Sequence, residues 1–322
     1  MKAIVYTKYG SPDVLHLEEV EIPAIKDDDV LVRVHAASIN SWDWDLLRGK
    51  PWIVRLWGLL KPKYTIPGGD IAGTIESVGK NVKNLKYGDE VFGDLSEYGW
   101  GGFAEYVSVP EKALSIKPKG MTFAEAASIP QAGLLALQGL QEKKQIKPGQ
   151  EILINGGGGG VGTFAIQIAK SLGADVTAAD HTAKLELMRS LGANHVIDYT
   201  KENFIRNKKQ YDLILDVVAS HSISDCLKVL KPGGFYVIIG GTMNAILKAM
   251  FLGSLISKMG NKGYGIMGYK PNRDLETMKE LFESSKVKPI IDRCYLLHEV
   301  PEAFRYFGEA KVQGKVVITV KV

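Results

Sequence analysis

A two-domain α/β protein is predicted by three observations. The chain has 322 residues, which at roughly 150 residues per domain asks for about two domains. Both ends of the chain carry β-rich patterns. Between them, strands alternate with helices around a cluster of glycines. Strands joined through crossover helices form a parallel, doubly wound sheet, whereas short strands with Gly, Pro, Asn and Asp between them suit a compact barrel or sandwich. The sequence therefore predicts a β domain from residues 1–122 and 290–322, with a doubly wound α/β domain of residues 123–289 inserted.

The β-rich start is carried by Asp29-Val-Leu-Val-Arg-Val-His35, where Val30, Val32 and Val34 alternate as in a half-buried strand. Asp70–Glu76, Glu90–Gly93 and Phe103–Val109 follow as further short strands. From about residue 122 the style changes. A helix is expected over Phe123–Gln141, a fully apolar strand over Glu151–Asn155 and a helix over Val161–Leu172. Then come a strand (Asp175–Ala179), a helix (Lys184–Leu191), strands at Val196–Asp198 and Asp212–Val218, a helix (Ile223–Leu230) and a strand at Phe235–Ile239. The tail from Tyr295 to Val322 returns to β character.

Composition fits two ordinary cores: 45% of residues are hydrophobic and 24% charged. Forty Lys and Arg against 36 Asp and Glu leave a net charge of +4, no footprint for nucleic acid on a chain of this length. Two cysteines cannot frame a disulfide scaffold or a four-thiolate zinc lobe; Cys226 and Cys294 are expected to be buried small hydrophobes. The apolar stretch Ala245–Met259 is interrupted by Lys248 and Lys258. It is too short and too charged to span a bilayer and reads as an amphipathic helix over a pocket, a partner or the core. With no long apolar leader after Met1, the expected compartment is the cytoplasm.

The glycines are the sharpest signal. Six of the 35 fall between residues 156 and 162, directly after a strand and directly before a helix. Within them Gly157-x-Gly159-x-x-Gly162 fits the dinucleotide fingerprint: a tight turn, a close backbone approach to pyrophosphate, and close helix–strand packing. Gly160 and Val161 belong to the same turn. The Gly-Lys pair of a nucleoside triphosphate loop is missing. Asp180, about 20 residues on, fits an acid that accepts hydrogen bonds from the adenosine ribose. His181 and Lys184 offer positive charge to a 2′-phosphate instead, and Asp180 is equally placed as a solvated helix cap.

Together, Gly73-Thr-Ile-Glu-Ser-Val-Gly79, Lys86–Phe92, Gly102–Tyr106, Asn155–Gly162, Leu191-Gly-Ala193, Leu230–Gly234 and Gly314-Lys-Val-Val317 make the chain resemble the medium-chain dehydrogenase/reductase superfamily, in its zinc-free quinone oxidoreductase branch. The resemblance implies a GroES-like β domain plus a Rossmann domain, a homodimer, and NADPH-dependent reduction of quinones or activated double bonds, with NADH open because of Asp180. Zinc relatives need a Cys and a Gly-His-Glu segment; here those places read Ala37–Asp43, without Cys, and Gly68-Gly-Asp70.

By family position, Asn40 is expected to orient nicotinamide or substrate and Asp43 to fix groups beside it, although both residue types also cap turns. Tyr199 matches a place near the adenosine end. Val217, Gly240 and Gly241 follow strands at the ends where open α/β sheets bind ligands. Trp44, one of four tryptophans between residues 42 and 57, is the expected pocket wall for a flat substrate. A small electrophile, either quinone or enone, is thus the expected partner. The other readings are an enoyl-thioester reductase, with Lys61, Lys63 and Lys270 as a basic rim, and a nucleotide-binding protein without turnover.

Overall fold

The computed structural model describes residues 1–141, 145–241 and 261–321, so the expected helix at Ala245–Met259 lies outside the described residues. The chain divides into two units: Met1–Ala132 with Lys270–Glu283 and Pro289–Val322, and Gly133–Tyr269 with Ser284–Lys288.

The first unit opens with an antiparallel ribbon of β1 (Lys2–Val5) and β2 (His16–Glu19). The long β3 (Asp29–Ile39) buries Val30, Val32 and Val34 completely, as its alternation predicts. Helix α1 (Ser41–Arg48) follows at once. Strands β4 (Asp70–Val78), β5 (Glu90–Asp94), β6 (Tyr106–Pro110) and β7 (Ser115–Ile116) complete this part. Along one edge β3 pairs with β4; along the first half of the other it pairs with β6. Helix α2 (Phe123–Ser128) starts on a reciprocal cap: Glu125 N–H donates to Thr122 Oγ1 at 3.2 Å, and Thr122 N–H donates to Glu125 Oε2 at 2.9 Å. The single helix expected over Phe123–Gln141 is two. α2 ends at Ser128 and α3 (Pro130–Gln141) begins afresh, because Pro130 has no N–H to continue the ladder and suits a helix start. α2 packs on β3 and β4, so it belongs to the first unit although the pattern change placed it in the second.

The second unit contains β8 (Glu151–Asn155), α4 (Gly160–Ser171), β9 (Asp175–Asp180), α5 (Leu185–Ser190), β10 (His195–Asp198), β11 (Tyr211–Asp216), α6 (Ile223–Lys228), β12 (Leu230–Ile238) and β13 (Gly263–Ile266). All strand pairs are parallel, in the order β10-β9-β8-β11-β12-β13. The chain starts in the middle, builds outward to β10, then crosses to β11. The order therefore reverses between β8 and β11, a switch point where open sheets leave a crevice for ligands. Ile152, Leu153 and Ile154 are fully buried, the continuous apolar run of a parallel strand covered on both faces.

The chain returns to the first unit through α7 (Leu275–Glu283), β14 (Ile291–Leu296), α8 (Val300–Gly308) and β15 (Lys315–Thr319). The tail is thus not wholly β. Val300, Ala303 and Phe304 are buried at helical spacing, a pattern masked by the strands on either side. β15 runs antiparallel to β3 and parallel to β14. Phe304 meets Phe103 edge-on, with ring centroids 5.9 Å apart. Cys226 is buried as expected, but Cys294 is exposed. It lies on β14, which among the described residues ends its sheet and is paired along one edge.

Candidate functional site

Register brings four polar residues to one end of four neighbouring strands in the first unit. Asn40 follows β3; Asp70 opens β4 and pairs with Ser38; Asp94 closes β5 and pairs with Asp70; Lys315 opens β15, whose next residue pairs with Ile39. Relative exposure is 6% for Asn40, 0% for Asp70 and Asp94, and 2% for Lys315. Lys315 Nζ lies 3.7 Å from Asp70 Oδ2 and donates to Asn40 Oδ1 and, at 3.3 Å, to the Ile39 carbonyl. Asn40 Nδ2 donates to Asp70 Oδ2 at 2.9 Å, and the Gln131 N–H donates to both Asp70 oxygens at 3.2 Å. With its oxygen on an ammonium and its nitrogen on a carboxylate, the Asn40 amide has one orientation.

Asp43, in the first turn of α1, is also fully buried. Its Oδ2 accepts from Asn40 N–H at 2.8 Å, and its Oδ1 accepts from Gly68 and Gly69 N–H at 3.1 and 3.2 Å. The carboxyl is thus spent on backbone, joining the start of α1 to the turn before β4. Gly68 sits at φ +101° with an added Cβ only 2.6 Å from Phe103 N, so this turn requires glycine. Burial pushes the Asp43 carboxyl up to about 7. Burial likewise raises the Asp70 carboxyl and lowers the Lys315 amine, while their mutual attraction opposes both effects.

In the second unit the glycine turn is built as its spacing predicts. A Cβ on Gly162 would lie 2.1 Å from the Gly156 carbonyl oxygen, and one on Gly157 would lie 2.7 Å from Met188 Sδ. Gly162 lets α4 pack against the turn that ends β8, and Gly157 leaves room for Met188 of α5. Among the described residues a Cβ on Gly159 would meet only Gly156 O, at 3.7 Å, which leaves space at the start of α4. Gly160 opens that helix and Val161 is half-buried in it.

Asp180 closes β9 and is not a solvated cap: it is 8% exposed. Its Oδ2 accepts from Gly158 N–H at 2.9 Å and its Oδ1 from His181 N–H at 2.7 Å, with Lys184 Nζ 3.7 Å from Oδ1. The Lys184 stem covers Gly158, where an added Cβ would lie 2.6 Å from Lys184 Cβ. His181 meets the exposed Tyr199 ring edge-on, centroids 6.0 Å apart. Beside Tyr199 an open groove of about 480 Å³ is lined by Lys201 and Arg206 among others. Val217 is half-buried after β11; Gly240 and Gly241 follow β12, Gly241 at φ +132°. Trp44, the expected pocket wall, is half-buried and packs on α8. Its ring is 6.3 Å from that of Phe304, and the Arg48 guanidinium lies 4.6 Å above it.

Sequence reasoning did not pick out Lys315, Asp94 or Asp216 for the site. Asp216, fully buried at the end of β11, accepts from Asn155 Nδ2 and Tyr236 O–H, both at 2.8 Å, and from Ala219 N–H at 2.7 Å. It knits β8, β11 and β12 together at the switch point. The available signal was positional: β9, β10 and β11 each end in aspartate, and Lys315 stands in an otherwise apolar run.

Three family matches cover most of the chain: an alcohol dehydrogenase GroES-like domain over residues 26–119, a zinc-binding dehydrogenase domain over 191–318, and the C-terminal domain of alanine dehydrogenase/PNT over 126–221. The residues do not fit the zinc of the second description. Among the described residues no group of three His, Cys, Asp or Glu could hold a metal, and an ammonium already stands against Asp70. The 2-methylene-furan-3-one reductase of Solanum lycopersicum is 39% identical over 99% of this chain and 79% of its own length. The chloroplastic NADPH-dependent alkenal/one oxidoreductase of Arabidopsis thaliana is 37% identical over the same shares. The quinone oxidoreductase structure from Coxiella burnetii matches 100% of this chain and 99% of its own, with a TM-score of 0.88 and 28% identity. With that coverage at both levels, the chain belongs to the medium-chain dehydrogenase/reductase superfamily, in its zinc-free quinone oxidoreductase-like branch.

Proposed function

We propose that this protein is a zinc-independent reductase that passes a hydride from NADPH or NADH to a quinone or an α,β-unsaturated carbonyl. The observation that carries this reading is the β8–glycine–α4 turn at the switch point, open at Gly159 and closed by Gly162. The relatives named above are reductases of this kind. A bound nicotinamide cofactor supplies the hydride. The backbone at Gly157, Gly159, Gly160, Val161 and Gly162 receives its pyrophosphate; Asp180, His181, Lys184 and Tyr199 frame the adenosine half; Val217, Gly240 and Gly241 border the strand ends. Asn40, its amide fixed by Lys315 and Asp70, orients the nicotinamide or the substrate. Asp43 positions Asn40 through its backbone.

The test is oxidation of NADPH and NADH, followed by nicotinamide absorbance, with a quinone, an enone and an enoyl thioester as acceptors. Turnover with quinone or enone, undiminished by a metal chelator, is expected. Cofactor binding without oxidation by any acceptor removes the enzyme reading, and turnover confined to the thioester moves the substrate class. Asp180→Ala is expected to raise NADPH affinity relative to NADH about tenfold, or ~1.4 kcal/mol, since it removes a negative charge near the 2′-position and frees Lys184. An unchanged ratio in fluorescence titrations removes Asp180 from ribose recognition. The proposal extends to a cytoplasmic homodimer; a single species at 35.2 kDa in sedimentation argues against the dimer. No helix among the described residues is long and apolar enough to cross a membrane.

A further inference from the structure

The segment between α1 and β4 carries a concentration of exposed apolar surface. Four of the twelve exposed large hydrophobics among the described residues fall in it, Trp52, Leu56, Leu59 and Leu60, the last 91% exposed, and Trp42 lies in α1 just before it. Single exposed apolar residues are ordinary, but a group of them marks a contact surface. The segment is anchored from beneath. Val54 and Pro62 are buried, Tyr9 O–H donates to the Gly58 carbonyl at 2.7 Å, and Arg55 Nε donates to the Gly49 carbonyl at 3.0 Å.

Its charge is one-signed. From Leu46 to Gly69 there are five bases, Arg48, Lys50, Arg55, Lys61 and Lys63, and no acid. Arg48 pairs with Asp45 and Arg55 lies over the Tyr9 ring, while Lys50, Lys61 and Lys63 are exposed. Tryptophan, leucine and lysine together are the chemistry of a headgroup–acyl boundary: the apolar groups enter, and the long lysines keep their ammoniums at the phosphates.

We propose that this segment docks the protein on an anionic lipid surface. An acidic protein would satisfy the lysines but offers no reason for leucines as exposed as Leu59 and Leu60. Docking needs no turnover and so stands apart from the reductase reading. Where the acceptor is a lipophilic quinone, it puts the enzyme on the phase that holds it.

The full chain is to be sedimented with vesicles of phosphatidylcholine alone and of phosphatidylcholine mixed with phosphatidylglycerol. Binding to the mixed vesicles, weak on the neutral ones and lost as salt rises, is expected. The double variants Leu59→Ser/Leu60→Ser and Lys61→Gln/Lys63→Gln are each expected to weaken it about tenfold or more, the leucine variant with turnover of a water-soluble enone unchanged. No binding to mixed vesicles overturns the proposal, as does binding that the variants leave intact. A raised KM for the soluble enone in the leucine variant also overturns it, because the segment is then a wall of the substrate site. So does capture of an acidic carrier protein in preference to vesicles.

Discussion

Lys315→Met is expected to lower stability by about 3–5 kcal/mol, the usual cost of stripping one partner from a buried ion pair. Methionine matches the stem but takes the ammonium from Asp70 and the donor from Asn40 Oδ1. Asp70 then has to keep a proton, since an unpaired carboxylate is not tolerated in so dry a place. The cost therefore depends on pH. A buried carboxyl whose folded-state pKa is raised binds protons that the unfolded chain has released. Stability thus falls as pH climbs from the ordinary carboxylate value through the raised one. Asp70 is already raised to about 8 beside the ammonium and losing Lys315 raises it further, so the penalty is expected to be smaller at about pH 6 than at about pH 9. Denaturant unfolding of both proteins at the two pH values checks this; a penalty independent of pH rules out the ion pair as its source. Asp43, raised to about 7, gives the parent protein a slope of the same sign, and Asp43→Asn is expected to flatten it.

The second large effect separates two glycines of one turn. Gly162→Ala drives a methyl carbon to 2.1 Å from Gly156 O and 2.6 Å from Gly157 Cα, all backbone that cannot rotate aside. α4 has to leave β8, and a loss of roughly 3 kcal/mol or more is expected, with cofactor binding abolished. Gly159→Ala meets one atom at an ordinary 3.7 Å, at a φ of −88° that alanine adopts freely. Its stability cost is expected to stay within about 1 kcal/mol, while NADPH affinity falls about tenfold or more (~1.4 kcal/mol) because the methyl fills the space a pyrophosphate needs. Titration of the folded Gly159→Ala protein decides the matter: unchanged affinity moves the pyrophosphate away from this turn.

The contrast between these sites explains what could be read from sequence. The glycine turn is local: an apolar strand, six glycines and a helix occupy consecutive residues, and each glycine's role follows from spacing. The distance from the turn also singled out Asp180, although its bonds to Gly158 and Lys184 were not legible. The helix break at Ile129 was hidden because apolar periodicity runs straight across Pro130. Helix α8 was hidden because the strands flanking it dominate the tail. Trp44 was singled out because it stands beside Asp43; its contact with Phe304 joins residues far apart in the chain and had no local signal. Lys315 and Asn40 are 275 residues apart, and only the pairing of β15 with β3 makes them neighbours. No local pattern encodes that meeting.

That pairing also imposes an order on synthesis. The second unit has all six of its strands once Ile266 has been made. The first unit has Asn40, Asp70 and Asp94 early but receives their ammonium only with Lys315, on the strand that covers the bare edge of β3. A nascent or truncated chain that stops before residue 315 holds buried acids with no counter-charge and an unpaired strand edge, the kind of exposed template on which chains aggregate. The last strand of the first unit to be made thus closes the sheet that its earliest strands begin.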